Sequence, residues 1–460
     1  MAIDVHSLVD RKSGLVSRRI MADEEIYRLE LERIFARCWL FLAHESQVAR
    51  PGMFVTTWMG DEPVIVTRDT AGQVRAMINS CRHRGNSVCR AEEGRAHSFM
   101  CTYHGWTYGL DGSLVGVPGY DERYHAELDR SQWGLIPVAQ VASYKGLIFG
   151  TFDPQAPPLE EYLGEARWAL DYVLDQRAGG TEVVGGVYKW LINSNWKLGA
   201  DNVMGDNYHG AITHRSATTV GHQTASRVER RSNGRDDNLM AGPGIRPGFT
   251  APLSWGHGFM CDLQPPGDTN YREHPEPLRS YYEETLPELE SRLGPMRARV
   301  KKINLTLFPH ASFTTSSNML HVWHPRGPNQ TEVWLYVIVD KDAPAEVKRT
   351  LRQSAQRHFS PAGMFEQDDM DNWELSTKAA GGTVSRNYPL NYSMGLGHEK
   401  WEDDGVVSRQ INAINDESNQ RAFYYGWADF MSGEGWDGLR RKREEWESNR
   451  APGSGDARRG

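Results

Sequence analysis

The chain has 460 residues and sets 52 Lys and Arg against 60 Asp and Glu, a formal net charge of −8. That acidic balance, without a long basic run, speaks against nucleic acid as the main partner. No apolar run approaches the roughly 18 residues of a membrane span. The opening segment MAIDVHSLVDRKSG lacks the apolar stretch of a secretory signal, and five cysteines do not make a disulfide scaffold, so a cytoplasmic protein of two or three domains is expected.

In chain order, residues 22–38 place Ile26, Leu29, Ile34, Phe35 and Cys38 near helical spacing, with acidic residues early. From Met53 to about Phe152 the texture is short alternating runs (VTTW, VIVT, VRAMIN) broken by Gly60, Gly72, Gly112 and Gly119, which predicts a compact all-β unit. A proline-containing stretch from Asp153 to Tyr162 reads as a linker. Leu191–Arg215 has helical features and holds the densest polar cluster. Residues 303–340 carry three strand-like runs, the last two joined by the hairpin loop RGPNQ. Residues 344–360 and 361–378 read as helices, with Pro361 in the first turn of the second. The expected divisions are a helical segment at 1–38 packing on the larger domain, the all-β domain at 39–155, the larger mixed domain at 156–445, and a disordered tail at 446–460.

Two clusters of ligand-type residues stand out. In the all-β stretch, Cys81 and His83 are followed by Cys101 and His104. Each loop offers one thiolate and one imidazole. Structural zinc sites usually group like ligands, whereas the interleaved Cys-His-Cys-His order suits a two-iron cluster in which one iron takes both Cys and the other both His. With the continuations His83-Arg84-Gly85 and His104-Gly105-Trp106, this region resembles the Rieske [2Fe–2S] proteins. The likeness is to the oxygenase branch, since Cys89 has no second-loop partner for the disulfide of the respiratory branch. Thr102, where that branch often has Pro, is a minor departure.

The second cluster lies at 201–214, where Asp201, Asn202, Asp206, Tyr208, His209 and His214 fall within 14 residues. Asp206 and His209 are at i,i+3, which puts them on one helix face. His209 and His214 are five apart, about 140° on a helix, so a shared metal requires the helix to end or distort between them, as Gly210 permits. A mononuclear iron that activates O2 takes two His and one carboxylate. The third ligand is sought in Phe365–Glu374. At about 100° per residue from Phe365, Ala362, Asp369 and Trp373 fall at about 60°, 40° and 80°. Asp369 thus sits on the apolar face, Asp368 and Asp371 point away, and Glu366 lies near the edge.

With both clusters in place, the chain resembles the large α subunit of the Rieske non-haem iron aromatic ring-hydroxylating dioxygenases, from about residue 20 to about 430. The family segment Asn-x3-Asp-x2-His-x4-His is matched by Asn202, Asp206, His209 and His214, and its Asp-Asp pair by Asp368 and Asp369. The resemblance implies an α+β chain: an all-β Rieske domain plus a catalytic domain with an antiparallel sheet covered by helices, of helix-grip, START-like type. It implies a [2Fe–2S] cluster on Cys81, His83, Cys101 and His104, and Fe2+ on His209, His214 and Asp369. It also implies an Asp206 bridge from one chain's His104 to the next chain's His209, with Asn202 and Tyr208 as further site residues. The implied partners are O2, a small aromatic substrate, a ferredoxin or NAD(P)H reductase, and a small β subunit in an α3β3 (or α3) assembly. The chain itself shows no dinucleotide-binding GxGxxG loop after a strand, so electrons must come from outside.

Apolar residues near the iron motifs, Val203, Met204, Phe359 and Phe365, with Ile212, Leu307 and Phe313 in addition, are the expected pocket. Arg215 is the one basic residue inside the motifs, which favours a neutral aromatic hydrocarbon. The alternatives are a Rieske monooxygenase or demethylase, a dioxygenase of aromatic carboxylates, and, in another class, a Rieske electron carrier, which would leave His209, His214 and Asp369 unexplained.

Overall fold

The computed structural model describes residues 3–216, 248–265, 274–411 and 415–450. The chain divides into two compact units, Phe35–Leu159 and a larger one made of Met1–Ile34 with Glu160–Gly460.

The smaller unit is built of short antiparallel strands. One sheet runs Val74–Ile78, Glu62–Arg68, Met53–Met59, Glu93–Arg95; a second runs Leu114–Gly116, Thr107–Tyr108, Phe99–Met100; a third places Leu147–Thr151 between Gln140–Tyr144 and Leu40–His44. Alternation with period two supplies the buried set. Ile65, Met77, Phe99, Trp106, Tyr108 and Leu135 pack together, and Cys81 and Cys101 are part of the same cluster.

In the larger unit a ten-stranded antiparallel sheet forms among the described residues, with the strand order Thr181–Val183, Thr331–Asp340, Met319–Pro325, Ala311–Thr314, Val300–Leu307, Gly258–Leu263, Gly248–Pro252, Ser408–Ile411, Trp401–Asp403 and with Tyr188–Ile192 also paired to Thr331–Asp340. The expected hairpin is present: Pro325 pairs with Thr331 across the RGPNQ loop. Direct partners share a face, so Met319, His321 and Trp323 lie beside Val337, Leu335 and Val333. Helices Leu278–Ala298 and Ala345–Phe359 bury Leu278, Tyr281, Val347, Leu351 and Ala355 against this face. The helix Met364–Ala380 adds Trp373, whose ring meets Trp323 edge-on at 5.5 Å.

The helix Trp196–Val203 is pressed onto the same face. A Cβ at Gly199 would come within 2.6 Å of the Trp323 ring, so only glycine allows the approach, and Thr306 donates a hydrogen bond to Ala200 O at 2.8 Å. From the opposite direction the buried helix Ser418–Met431 holds the end of this segment: Gln420 donates to Asp201 O and Asn419 to Met204 O.

Two expectations need correction. Pro361 is not in a helix: the chain turns tightly at Ser360–Gly363, where Gly363 N–H donates to Ser360 O, and the helix begins at Met364; the turn packs so closely that a Cβ at Gly363 would lie 2.5 Å from the His358 backbone. The tail is ordered further than expected. The helix Trp436–Ser448 passes through Trp446, and Arg450 is buried, donating to Pro252 O at 3.1 Å and pairing with Glu165 at 2.6 Å. Residues 451–460 lie outside the described residues. No described helix is long and apolar enough to cross a membrane.

Candidate metal centres

In the smaller unit the two loops repeat one backbone design. Gly85 N–H donates to Cys81 O at 2.8 Å and Gly105 N–H to Cys101 O at 2.9 Å. Both glycines have positive φ, 73° and 76°. Each loop then closes with its cysteine N–H on Asn86 O or Trp106 O. A Cβ at Gly105 would meet Pro118 at 2.8 Å. The design turns Cys81 and Cys101 inward, 4% and 2% exposed, and brings the His83 and His104 rings to 4.5 Å between centroids. Trp106 stacks on His83 and Tyr103 on His104.

The donor chemistry fits a metal cluster. Burial raises the cost of a Cys101 thiolate, but the amides of Tyr103, Asn86 and His104 outweigh it and hold the thiol below its usual value, which favours the ligating form. Burial and the neighbouring His104 keep His83 neutral, and its buried Nδ1 has no partner. A single zinc ion would draw its ligand atoms together. Among the described residues only His209, His214 and Asp369 bring three ligand atoms within 4.8 Å of one another. The four loop residues do not form such a group, and two thiolates with two imidazoles are the donor set of a two-iron cluster. Two residues missed in the sequence face the sulfurs: the Tyr108 hydroxyl lies 3.3 Å from Cys81 Sγ and accepts from Arg82 N–H, and Asn86 Nδ2 lies 3.6 Å from Cys101 Sγ. Tyr108 lies in the stretch immediately after the second loop; its strand position is the one signal that could have found it.

In the larger unit the helix Trp196–Val203 ends and the chain turns at Gly205, with φ 122°. His209 and His214 flank the four-residue helix Gly210–Thr213. The helix ends between the two histidines as required, but at its far end and not at Gly210: His214 is its non-helical cap, with φ −94° and ψ 21°. Asp206 is not on a helix face with His209. Its Oδ1 accepts from the Tyr208 and His209 N–H groups in a side-chain turn, which brings its Oδ2 to 3.4 Å from His209 Nδ1. Asn202 Nδ2 is also 3.4 Å from that nitrogen.

The inner nitrogens converge. His209 Nε2 and His214 Nε2 are 3.3 Å apart, and Asp369 Oδ1 lies 3.4 and 3.5 Å from them. Two imidazoles and a carboxylate pointed at one spot are a cation's donor set. Burial opposes a charged His209, but Asp206 and Asp369 overcome it and push its pKa up to about 10, so the two carboxylates make this a point that favours a cation. Asp369 is 5% exposed on the buried stripe with Trp373 and Thr377. Glu366, expected at the edge, is on that stripe too and 1% exposed; its i,i+3 spacing to Asp369 was the available signal. Asp368, expected to point away, reaches His214 Nδ1 at 3.4 Å. Each inner histidine thus has a carboxylate behind it, the usual way a ligand ring is oriented.

The remaining predicted residues scatter. Phe365 is 4.7 Å from His214, ring to ring, and 5.6 Å from Phe359. Met204 is fully buried toward Gly258, Ile212 is 61% exposed, and Tyr208 is half-exposed. Val203 is half-buried and Leu307 buried. A cavity of about 440 Å3 elsewhere on this face is lined by Phe313 but by none of the other six expected pocket residues.

Residues 38–144 match the Rieske [2Fe-2S] domain and residues 159–433 the catalytic domain of ring-hydroxylating α subunits. The chain is 38% identical over 447 residues to the chlorobenzene dioxygenase α subunit of Cupriavidus sp. (strain PS12), covering 96% of both chains. It is 38% identical over 451 residues to the biphenyl dioxygenase α subunit of Paraburkholderia xenovorans (strain LB400), covering 95% of both. Naphthalene 1,2-dioxygenase with indole bound superposes with a TM-score of 0.87 at 35% identity, covering 97% of this chain and 98% of that one. The chain belongs to the family of ring-hydroxylating dioxygenase α subunits, oxidoreductases with a Rieske [2Fe–2S] cluster and a mononuclear iron.

Proposed function

We propose that this chain is the terminal oxygenase that cis-dihydroxylates an aromatic hydrocarbon, consuming O2, two electrons and two protons for each ring that gains two hydroxyls. The observation that carries this reading is the convergence of His209, His214 and Asp369 on one point, a three-donor set that leaves room for O2 and substrate. His209, His214 and Asp369 hold Fe2+; Cys81, His83, Cys101 and His104 hold the cluster. Bound there, the iron supplies O2 activation and the cluster supplies electrons. Asp206 and Asp368 accept from the outer ring nitrogens and fix which nitrogen of each histidine faces the metal. Asn202 Nδ2 lies 3.4 Å from the same His209 nitrogen. Phe365, against His214, offers a flat wall to an arene. Relatives are named as α subunits and as the large oxygenase component of a naphthalene system, which supports a small β subunit, an α3β3 assembly and a ferredoxin or reductase as electron source.

Metal analysis of Asp369→Ala and Asp206→Asn beside the natural protein tests the assignment. Three irons per chain are expected in the natural protein and two in Asp369→Ala, with an unchanged cluster absorbance and no diol formed. Asp206→Asn keeps all three irons and loses turnover. Full iron content in Asp369→Ala would overturn the ligand assignment.

A further inference from the structure

Glu366 and His321 form a buried polar pair outside both metal sites. Each is 1% exposed, and Glu366 Oε2 lies 3.4 Å from His321 Nε2. Glu366 Oε1 and His321 Nδ1 have no hydrogen-bond partner. Half-satisfied buried polar groups cost stability, and apolar side chains of similar volume often fill the same space as well or better. Stability alone therefore gives no reason for the pair.

Its place on the helix does. Glu366, Asp369 and Trp373 share the buried stripe of the helix Met364–Ala380, with Glu366 and Trp373 at i−3 and i+4 from Asp369. Both flanking residues reach the same strand, Met319–Pro325: Glu366 meets His321, and Trp373 meets Trp323 edge-on at 5.5 Å. His321 and Trp323 stack on each other at 5.1 Å and 3°, so the two anchor points are one unit. Trp323 is itself fixed, donating to Ser312 Oγ at 2.9 Å, and it is the ring against which Gly199 packs. The helix that leads to His209 and the helix that carries Asp369 thus rest on one stacked pair of rings. Beyond Trp373 the second helix is tied down again, with Glu374 accepting from Asn193 N–H and Thr377 from Asn195 N–H. On the other side of Asp369 the polar tie to the sheet is Glu366.

We infer that Glu366 and His321 are positioning residues for the iron carboxylate. Their contact fixes the helix on the N-terminal side of Asp369 and so sets where Asp369 Oδ1 stands relative to His209 Nε2 and His214 Nε2. Metal–ligand distances are held to about ±0.2 Å, so slack in this tie weakens the site although neither residue is a ligand. The inference rests on the assignment of Fe2+ to His209, His214 and Asp369 in the proposed function.

Anaerobic Fe2+ titration tests it, on protein stripped of its mononuclear iron by a chelator with its cluster retained, alongside thermal melting of the same samples. Glu366→Asp keeps the charge but shortens the reach; Fe2+ affinity should fall roughly tenfold, the low end of what partners of ligand residues contribute. Glu366→Gln loses the charge but keeps the reach and an oxygen for His321; most of the natural affinity should remain. Glu366→Leu with His321→Leu removes the tie without stranding a buried charge; it should melt at or above the natural temperature and still bind Fe2+ more weakly. Natural affinity in Glu366→Asp, or a Glu366→Gln protein as weak as Glu366→Asp, would overturn the positioning role. So would a double variant that regains affinity together with stability, since the pair would then be structural only. A natural protein that takes up no Fe2+ refutes the ligand assignment beneath the inference, whereas tight binding indifferent to every variant refutes the positioning alone.

Discussion

Lys197 and Glu30 form an ion pair at 2.5 Å, with both side chains wholly removed from solvent. Glu30 belongs to the N-terminal segment, and Lys197 opens the helix that leads into the iron residues. Trp196 Nε1 and Trp427 Nε1 donate to the same carboxylate at 2.9 and 2.7 Å, and the Lys197 ammonium lies 5.0 and 5.9 Å from those two rings. Burial alone would depress the Lys197 pKa, and Glu30 works against that loss. Lys197→Met removes the cation and leaves a buried carboxylate satisfied only by two indoles. Breaking such a pair costs about 3–5 kcal/mol. At about 2–4 °C per kcal/mol for domains of this order, the larger unit should melt on the order of 10 °C lower, followed by circular dichroism. The double variant Glu30→Gln with Lys197→Met removes both charges, keeps an oxygen for the indole donors and should recover most of that loss. A Lys197→Met protein that melts with the natural one would refute the reasoning, as would a double variant no better than the single.

Two further outcomes follow from the electrostatics. Tyr108→Phe removes the hydroxyl 3.3 Å from Cys81 Sγ; because hydrogen bonds to cluster sulfurs favour the reduced state, the cluster's reduction potential should fall by some tens of millivolts (about 59 mV per tenfold for one electron) in a redox titration, and an unchanged potential would remove Tyr108 from that role. Asp201 is raised to about 7, chiefly by burial and against the hydrogen bonds of Tyr424 and Tyr392. Its folded pKa lies above the unfolded one, so its stabilising contribution is present below about pH 4 and lost as pH rises through about 7. Asp201→Asn should therefore gain stability relative to the natural protein between pH 5 and pH 8 in urea unfolding, and a pH-independent difference would contradict the burial argument.

The candidate ligand residues were legible because spacing and the family resemblance together carry them. Interleaved Cys and His in two short loops, and two histidines five apart with an acid on a distant apolar stripe, each restrict the chemistry before any contact is known. The hairpin at 326–330 was legible for the same reason, since turn residues between two β-branched runs fix register locally. What the sequence concealed is relational. Asp206 reaches His209 through a side-chain turn that looks, by number, like helical i,i+3 spacing. Tyr108, Asp368 and Glu30 act on partners 27, 154 and 167 residues away, and no local period records such a pairing.

The pocket shows why the limit falls where it does. Residues adjacent in sequence to a metal ligand were expected to line the substrate space, yet Met204 points into the core toward Gly258 and Ile212 outward. A ligand must point at one spot, so its neighbours in a tight turn necessarily point elsewhere. Phe365, which does reach His214 at 4.7 Å, comes from a helix far along the chain. Metal ligation is thus written in short motifs, whereas the shape that chooses a substrate is written in the packing of remote elements.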